Sequence, residues 1–163
     1  MIEAYRVAGY VKLAKLWERS REQAIAYHNH YFREKYRDNP AMKLCAVYID
    51  ITGQKCIKKR PEMLRLIRDC MNGRINCIAT QTSAYLAADN EEFFYLIYLL
   101  FHLNPPIHIV TEDDHFHIDT INNEEQQTEA LRRAASDYIR MNPEGYSKWE
   151  KEVLTSKYSE QKR

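Results

Sequence analysis

Apolar and polar residues change their spacing several times along the chain, and each change marks an element. Arg6 to Leu13 (RVAGYVKL) suits a first strand. A helical stretch follows from about Trp17 to Tyr36, with Trp17, Ala24, Ile25, His28 and Phe32 near one face, and Pro40 closes that unit. Lys43 to Ile49 is a second strand, apolar enough to have lost its alternation, and Asp50 to Gly53 turns the chain. Pro61 opens a helix at the position where its missing N–H costs nothing; Met63, Leu66, Ile67 and Cys70 form its buried stripe, and Gly73 ends it. Ile75 to Thr80 is a third strand. Asp89 or Asn90 caps a helix that is apolar on most sides to Leu103, where Asn104-Pro105-Pro106 stops it. Ile107 to Val110 is a fourth strand, and the piece from His115 to Asp119 is extended. Asn122 or Asn123 caps a last long helix through about Met141, with Leu131, Ala134, Ala135 and Tyr138 on one side, interrupted at Pro143 and Gly145. The tail from Lys157 is expected to fray.

This order of strands and helices predicts an α/β fold, a three-layer sandwich with a mostly parallel central sheet, followed by a long C-terminal helix. Residues 1–121 form the sheet domain and 122–163 a helical extension with no separate DNA-binding domain. There is no internal repeat or low-complexity segment.

With 163 residues the chain fits one domain of ordinary size. Its 24 Lys and Arg against 23 Asp and Glu leave a formal net charge of +1, so no global field draws it to nucleic acid or membrane, and any DNA affinity must come from a local patch. The cysteines, Cys45, Cys56, Cys70 and Cys77, lack a zinc-type CxxC pair, and a reducing cytoplasm suits them. The longest apolar run, FFYLIYLLFHL from Phe93, is too short to span a bilayer.

Several motifs occur in a telling order. Tyr10-Val11-Lys12-Leu13-Ala14 ends the first strand; Tyr48-Ile49-Asp50 and Thr52-Gly53 end the second; Arg60-Pro61 precedes a helix that closes on Gly73-Arg74-Ile75-Asn76; and Gln23 lies on the first helix. From about Val7 to Asp113 this resembles the catalytic domain of the serine recombinases of the resolvase/invertase family, whose motifs read Y-x-R-x-S, Y-V-D, S-G and R-P-x-(helix)-G-K-I-D. The resemblance implies a three-layer α/β sandwich. It also implies a chemistry: a serine hydroxyl attacks a DNA phosphodiester while arginines hold the charge developing on the phosphate.

The residues that would perform that chemistry are replaced. Ala14 stands at the nucleophile, and Lys12 stands for the arginine two residues before it. After the third strand the family's D/S-R-x-x-R aligns with Ala84-Tyr85-Leu86-Ala87-Ala88, so that Tyr85 and Ala88 occupy the arginine positions. Alanine cannot attack, neither Tyr85 nor Ala88 can neutralise a phosphate, and lysine lacks the bidentate fork. Arg60 alone is retained. No catalytic residue is therefore expected, and Ser20, in Arg19-Ser20-Arg21, falls within the helical stretch and away from a strand end.

Lys55, Lys58, Lys59 and Arg60 form the one local positive cluster, in a loop that in the family faces DNA; with Lys12 they are the expected DNA contacts, weighed equally against a solvated loop. His28-Asn29-His30 and His115-Phe116-His117, beside Glu112, Asp113 and Asp114, offer metal-like spacing, but exposed histidines beside acids are the favoured account, and no metal or cofactor is expected. Relatives dimerise through the long helix after the sheet; the strip from Glu124, with Arg132, Arg133 and Arg140, would serve such a face or pack on its own sheet. The favoured expectation is a catalytically inactive recombinase-like protein of a mobile element. It would pair with itself, with an active recombinase or with other DNA-processing partners, with weak or indirect DNA contact and none with membrane. The alternatives are an active recombinase or nickase with a non-standard nucleophile, and a metal-dependent hydrolase using His115 and His117.

Overall fold

The computed structural model describes residues 3–113, 117–122 and 125–156. Four strands, β1 (Tyr5–Leu13), β2 (Met42–Ile51), β3 (Cys77–Thr80) and β4 (His108–Thr111), form one parallel sheet in the order β2-β1-β3-β4. β1 is central, with Tyr10 beside Tyr48 on one side and Thr80 on the other, and Lys12 beside Asp50. Among the described residues a single antiparallel bridge, Val110 with Asp119, borders β4, so the sheet is mostly parallel as expected.

Alternation along β1 sorts the two faces. Val7 and Val11 point into a cluster with Phe32 and Tyr36 of α1 (Arg21–Tyr36), while Ala8 and Tyr10 join the larger core of α2 (Pro61–Met71) and α3 (Asn90–Phe101). Gly9 lies on the α1 side, where a Cβ would stand 2.8 Å from the Phe32 ring, so this close approach of helix to strand requires glycine.

The starts of α2 and α3 each carry a local reason. At α2, Pro61 needs no acceptor for an N–H it lacks, and the Asp50 carboxyl takes the N–H groups of Glu62 and Met63, both at 2.9 Å. Gly73, at φ +79°, turns the chain out of that helix. At α3, Asp89 accepts from the Glu92 N–H at 2.9 Å. Glu92 in turn turns back to the Ala88 N–H at 2.9 Å, one residue beyond the N-cap that a capping box usually reaches, and also accepts from the Ile57 N–H and from the Trp149 indole N–H at 2.8 Å.

Three expectations change. The stretch Lys15–Ser20 is a 3-10 helix, with the Trp17 N–H bound to the Ala14 carbonyl, and α1 begins only at Arg21. β3 begins at Cys77 because the Asn76 side chain, rather than a strand ladder, receives the Arg6 N–H at 2.7 Å. Pro143 does more than interrupt the last helix. After α4 (Glu125–Met141), Asn142 and Pro143 open a further helix, α5 (Pro143–Leu154), with Asn142 accepting from the Gly145 N–H and Pro143 in the first turn. α5 buries Tyr146, Trp149 and Val153 in the same core as Ala135 and Ile139 of α4, and each such side chain stabilises by about 1.5–3 kcal/mol. The expected fraying tail from Lys157 lies outside the described residues.

Glu92 is the acceptor that ties α5 and the Ile57 turn to the start of α3. Replacing Glu92 by Ala is expected to cost about 2–4 kcal/mol by leaving these buried donors without an acceptor. Urea denaturation followed by emission from the buried Trp149 measures it, and Glu92→Gln should recover part of the loss.

Candidate functional site

Ligand sites of parallel α/β sheets form beyond the C-terminal strand ends. Here the ends of β1 and β2 enclose a polar interior. The Tyr10 hydroxyl donates to Asp50 at 2.8 Å, and Asp50 also holds the start of α2. Burial raises the Asp50 pKa, opposed by the hydrogen bonds from the Glu62 N–H and Tyr10; burial, with the Asp50 charge behind it, holds the Tyr10 hydroxyl firmly protonated.

Arg60 is 1 % exposed. Its Nε and Nη2 donate to the Lys55 carbonyl at 3.0 and 2.7 Å, and Nη1 donates to the Tyr85 carbonyl. The guanidinium thus joins two loops, and its fork is closed on main-chain oxygens. Lys12 is partly buried; its Nζ donates to the Thr52 carbonyl at 3.2 Å, and its pKa is lowered by burial and then by the Arg60 charge. Of the other cluster members, Lys58 pairs with Glu152 of α5 at 3.4 Å, and its carbonyl accepts from the Ser156 hydroxyl. Lys55 and Lys59 are exposed. The fold therefore separates the five expected DNA contacts into two exposed lysines, one ion-paired lysine, and the partly and fully buried Lys12 and Arg60.

Ala14 is exposed where β1 passes into the 3-10 helix, and Ala84 is exposed in the turn after β3. Tyr85 is half-buried and packs against both hydrophobic clusters, and the Ala88 N–H is held by Glu92. Ala14, Ala84 and Ala88 carry no hydroxyl, thiol or guanidinium, and Tyr85 brings a phenol where the resemblance implies an arginine.

Sequence reasoning missed two features. At the end of β4, Asp113 accepts from the Thr82 hydroxyl (2.8 Å), the Ser83 N–H (2.9 Å) and the Ser83 hydroxyl (3.1 Å). Burial opposes its ionisation, but these bonds, the Ser83 N–H foremost, hold its pKa below the usual range. The second is a cleft of about 570 Å³ at the end of β1, lined by Leu13, Trp17, Ser20, Gln23, Ala24, Tyr27 and His28. Ser20, expected inside the helical stretch, is the last residue of the 3-10 helix, just before α1, and lines this cleft. The exposed Leu16 and Trp17 in a short polar segment were the available signal.

For metal, His28 is half-buried and His30 exposed; Glu112 is bound by the Tyr31 hydroxyl and Lys35. His117 is exposed, while Asp114 and His115 lie outside the described residues. Among the described residues no group of three or more His, Cys, Asp or Glu is placed to hold a metal ion, and no helix is long and apolar enough to cross a membrane.

No family model and no curated protein matches the chain. Solved structures do. The N-terminal catalytic domain of TP901-1 integrase superposes with a TM-score of 0.58 at 18 % identity, covering 85 % of this chain and 97 % of that one. The C-terminal catalytic domain of ISC1926 TnpA, an IS607-like serine recombinase, gives 0.51 at 16 % identity, covering 81 % and 80 %. The first open reading frame of transposon ISC1904 from Sulfolobus solfataricus gives 0.50 at 20 % identity, covering 93 % and 99 %. The chain shares the fold of serine recombinase catalytic domains.

Arg60→Ala is expected to lower stability by about 2–4 kcal/mol through the loss of donors to two carbonyls, against less than about 1 kcal/mol for Lys12→Ala. Denaturant titration of both variants measures the difference. A pH dependence follows from His28 and His108, whose pKa values burial lowers. The unfolded chain, with histidines near ~6.5, binds more protons than the folded one below that pH, so stability falls as the pH drops from about 6.5 toward 5. Thermal melts across that range should show the decline, and His28→Leu should flatten it.

Proposed function

We propose that this chain is a recombinase-like protein of a mobile element that does not cleave DNA and acts by oligomerising or by associating with DNA recombination machinery. The observation that carries the reading is the composition of the strand ends: Ala14, Ala84, Tyr85 and Ala88 stand where the resemblance places the nucleophile and its charged neighbours. Arg60, the retained arginine, has its fork closed on the Lys55 and Tyr85 carbonyls. Cleavage by such a site needs a hydroxyl aligned with a phosphate and cations to receive the charge that develops, and groups acting as a unit fail as a unit. The mobile-element setting is supported by the fold neighbours, one named as a transposon reading frame and another as an integrase.

Association with DNA would rest on few charges. Lys55 and Lys59 remain in solvent, with Lys12 partly buried behind them, while Lys58 would first have to leave Glu152. For oligomerisation, α4 offers Arg132, Arg133 and Arg140; Arg132 and Arg140 pair with Glu129 and Asp137 on the same helix, leaving a charged outer face suited to a homodimer or to an active recombinase as partner.

One observation favours a second reading, a cleaving enzyme with an unusual nucleophile: Ser20 lines the cleft at the end of β1. No arginine or lysine lines that cleft, so the charge of a phosphoryl transition state would be uncompensated there. The two readings separate on duplex DNA. The expected result is binding that weakens with salt at a log–log slope shallower than about −4, as for few phosphate contacts, with no covalent adduct on a denaturing gel. An adduct lost in Ser20→Ala would replace the proposed function with the second reading.

A further inference from the structure

The cleft at the end of β1 is built unlike a surface depression left by packing. Trp17 and Tyr27 are 45 % and 62 % exposed, and Trp17 stacks on no other ring among the described residues. Leu13 and Ala24 supply an apolar floor. Its volume, about 570 Å³, falls in the range of clefts that hold small planar ligands. Two polar side chains with unmet capacity also line it. The Ser20 hydroxyl does not cap α1, and Gln23 has no side-chain hydrogen bond among the described residues. His28 brings a third group, since its Nδ1 is buried without a partner. On the same segment, outside the cleft lining, Lys15 and Arg19 are exposed and pair with no carboxylate among the described residues, whereas Glu18 is tied to Arg21 at 3.1 Å and Glu22 pairs with no basic residue among them.

We propose that this cleft takes an unpaired base of single-stranded DNA, stacked on the Trp17 and Tyr27 rings, with Ser20 and Gln23 meeting its polar edge and Lys15 and Arg19 meeting the flanking phosphates. The inference rests on the DNA-association part of the proposed function and names the form of DNA that part would use. Aromatic rings beside cations, with amide and hydroxyl groups between them, are the chemistry by which bases are held without a partner strand. A base within a duplex has both faces covered by its neighbours and cannot present one to Trp17. An apolar partner helix would leave Ser20, Gln23 and the two cations without a role.

The test uses the full chain with an oligothymidylate of about 12 nucleotides, a blunt duplex of the same length, and thymidine monophosphate. Binding is read by anisotropy of the labelled strands and by quenching of Trp17 emission, with the buried Trp149 as an internal reporter of folding. The single strand is expected to bind more tightly than the duplex and to quench Trp17. Trp17→Ala and Tyr27→Ala should each weaken it roughly tenfold, with Trp17→Phe retaining most of the affinity and duplex binding unchanged. Trp17 and Tyr27 are 45 % and 62 % exposed and belong to neither core cluster, so these variants keep the fold, and the Trp149 emission verifies that.

Four results would overturn the proposal: equal affinity for both strands, Trp17→Ala binding like the parent, the mononucleotide binding as tightly as the strand, or Trp17-dependent self-association in sedimentation. The first two leave the cleft without a base-binding role, the third assigns it to a free nucleotide, and the fourth assigns it to a second copy of the chain. Salt-dependent duplex binding that survives any of these leaves the proposed function standing. A covalent adduct overturns the proposed function alone.

Discussion

Asp50 carries a carboxyl group into the interior where β2 turns toward α2, and the C-terminal edge of the sheet is arranged around satisfying it. Two main-chain N–H groups of α2 and the Tyr10 hydroxyl all point at its oxygens. A buried carboxyl without such donors would cost several kcal/mol, so β1, β2 and α2 must meet in one register for the domain to be stable. Arg60, one residue before α2, sits on the same knot and extends it outward by gripping the loops at Lys55 and Tyr85. The lengths and angles of the loops at this edge follow from that arrangement.

Under the proposed function, a scaffold held in this way would persist without cleavage chemistry. Tyr10, Asp50, Arg60 and Gly9 are held by packing or by hydrogen bonds that the fold needs, so replacing any of them costs stability. Ala14 and Ala84 lie in solvent at strand ends, where a side chain contributes little to the folded state. Selection for structure alone retains the first set and is indifferent to the second. The motifs on which the family resemblance rests are largely the buried ones.

The C-terminal region obeys the same logic from another direction. Glu92, near the start of α3, would be a buried charge with the neighbouring Ala88 N–H as its local donor if the Ile57 turn and α5 were absent. The Ile57 turn and Trp149 of α5 complete it, and Lys58 with Glu152 closes the outer side. A loop that reads as free and basic in sequence is in this way anchored to the last helix, and its positive potential is partly answered within the chain.

Most of the architecture was readable from spacing and breakers. The four strands, the α2 stripe from Met63 to Cys70, the Pro61 start and the Gly73 stop are local signals, because strand alternation, helix periodicity and the φ demands of proline and glycine act within a few residues. The start of α5 was local as well: Asn142-Pro143 opens a helix as readily as it ends one, and only the burial of Trp149 decides between the two. Sequence alone also determined which chemical groups stand at Ala14, Tyr85 and Ala88. The tertiary structure decided what the charged residues do. Arg60 reads as a phosphate ligand until its partner Tyr85, 25 residues away, is known, and Lys58 reads as free until Glu152 is placed beside it. The cleft between Trp17 and Tyr27 belongs to this second kind. Burial, pairing and concavity depend on residues brought together from distant parts of the chain, and no local spacing encodes them.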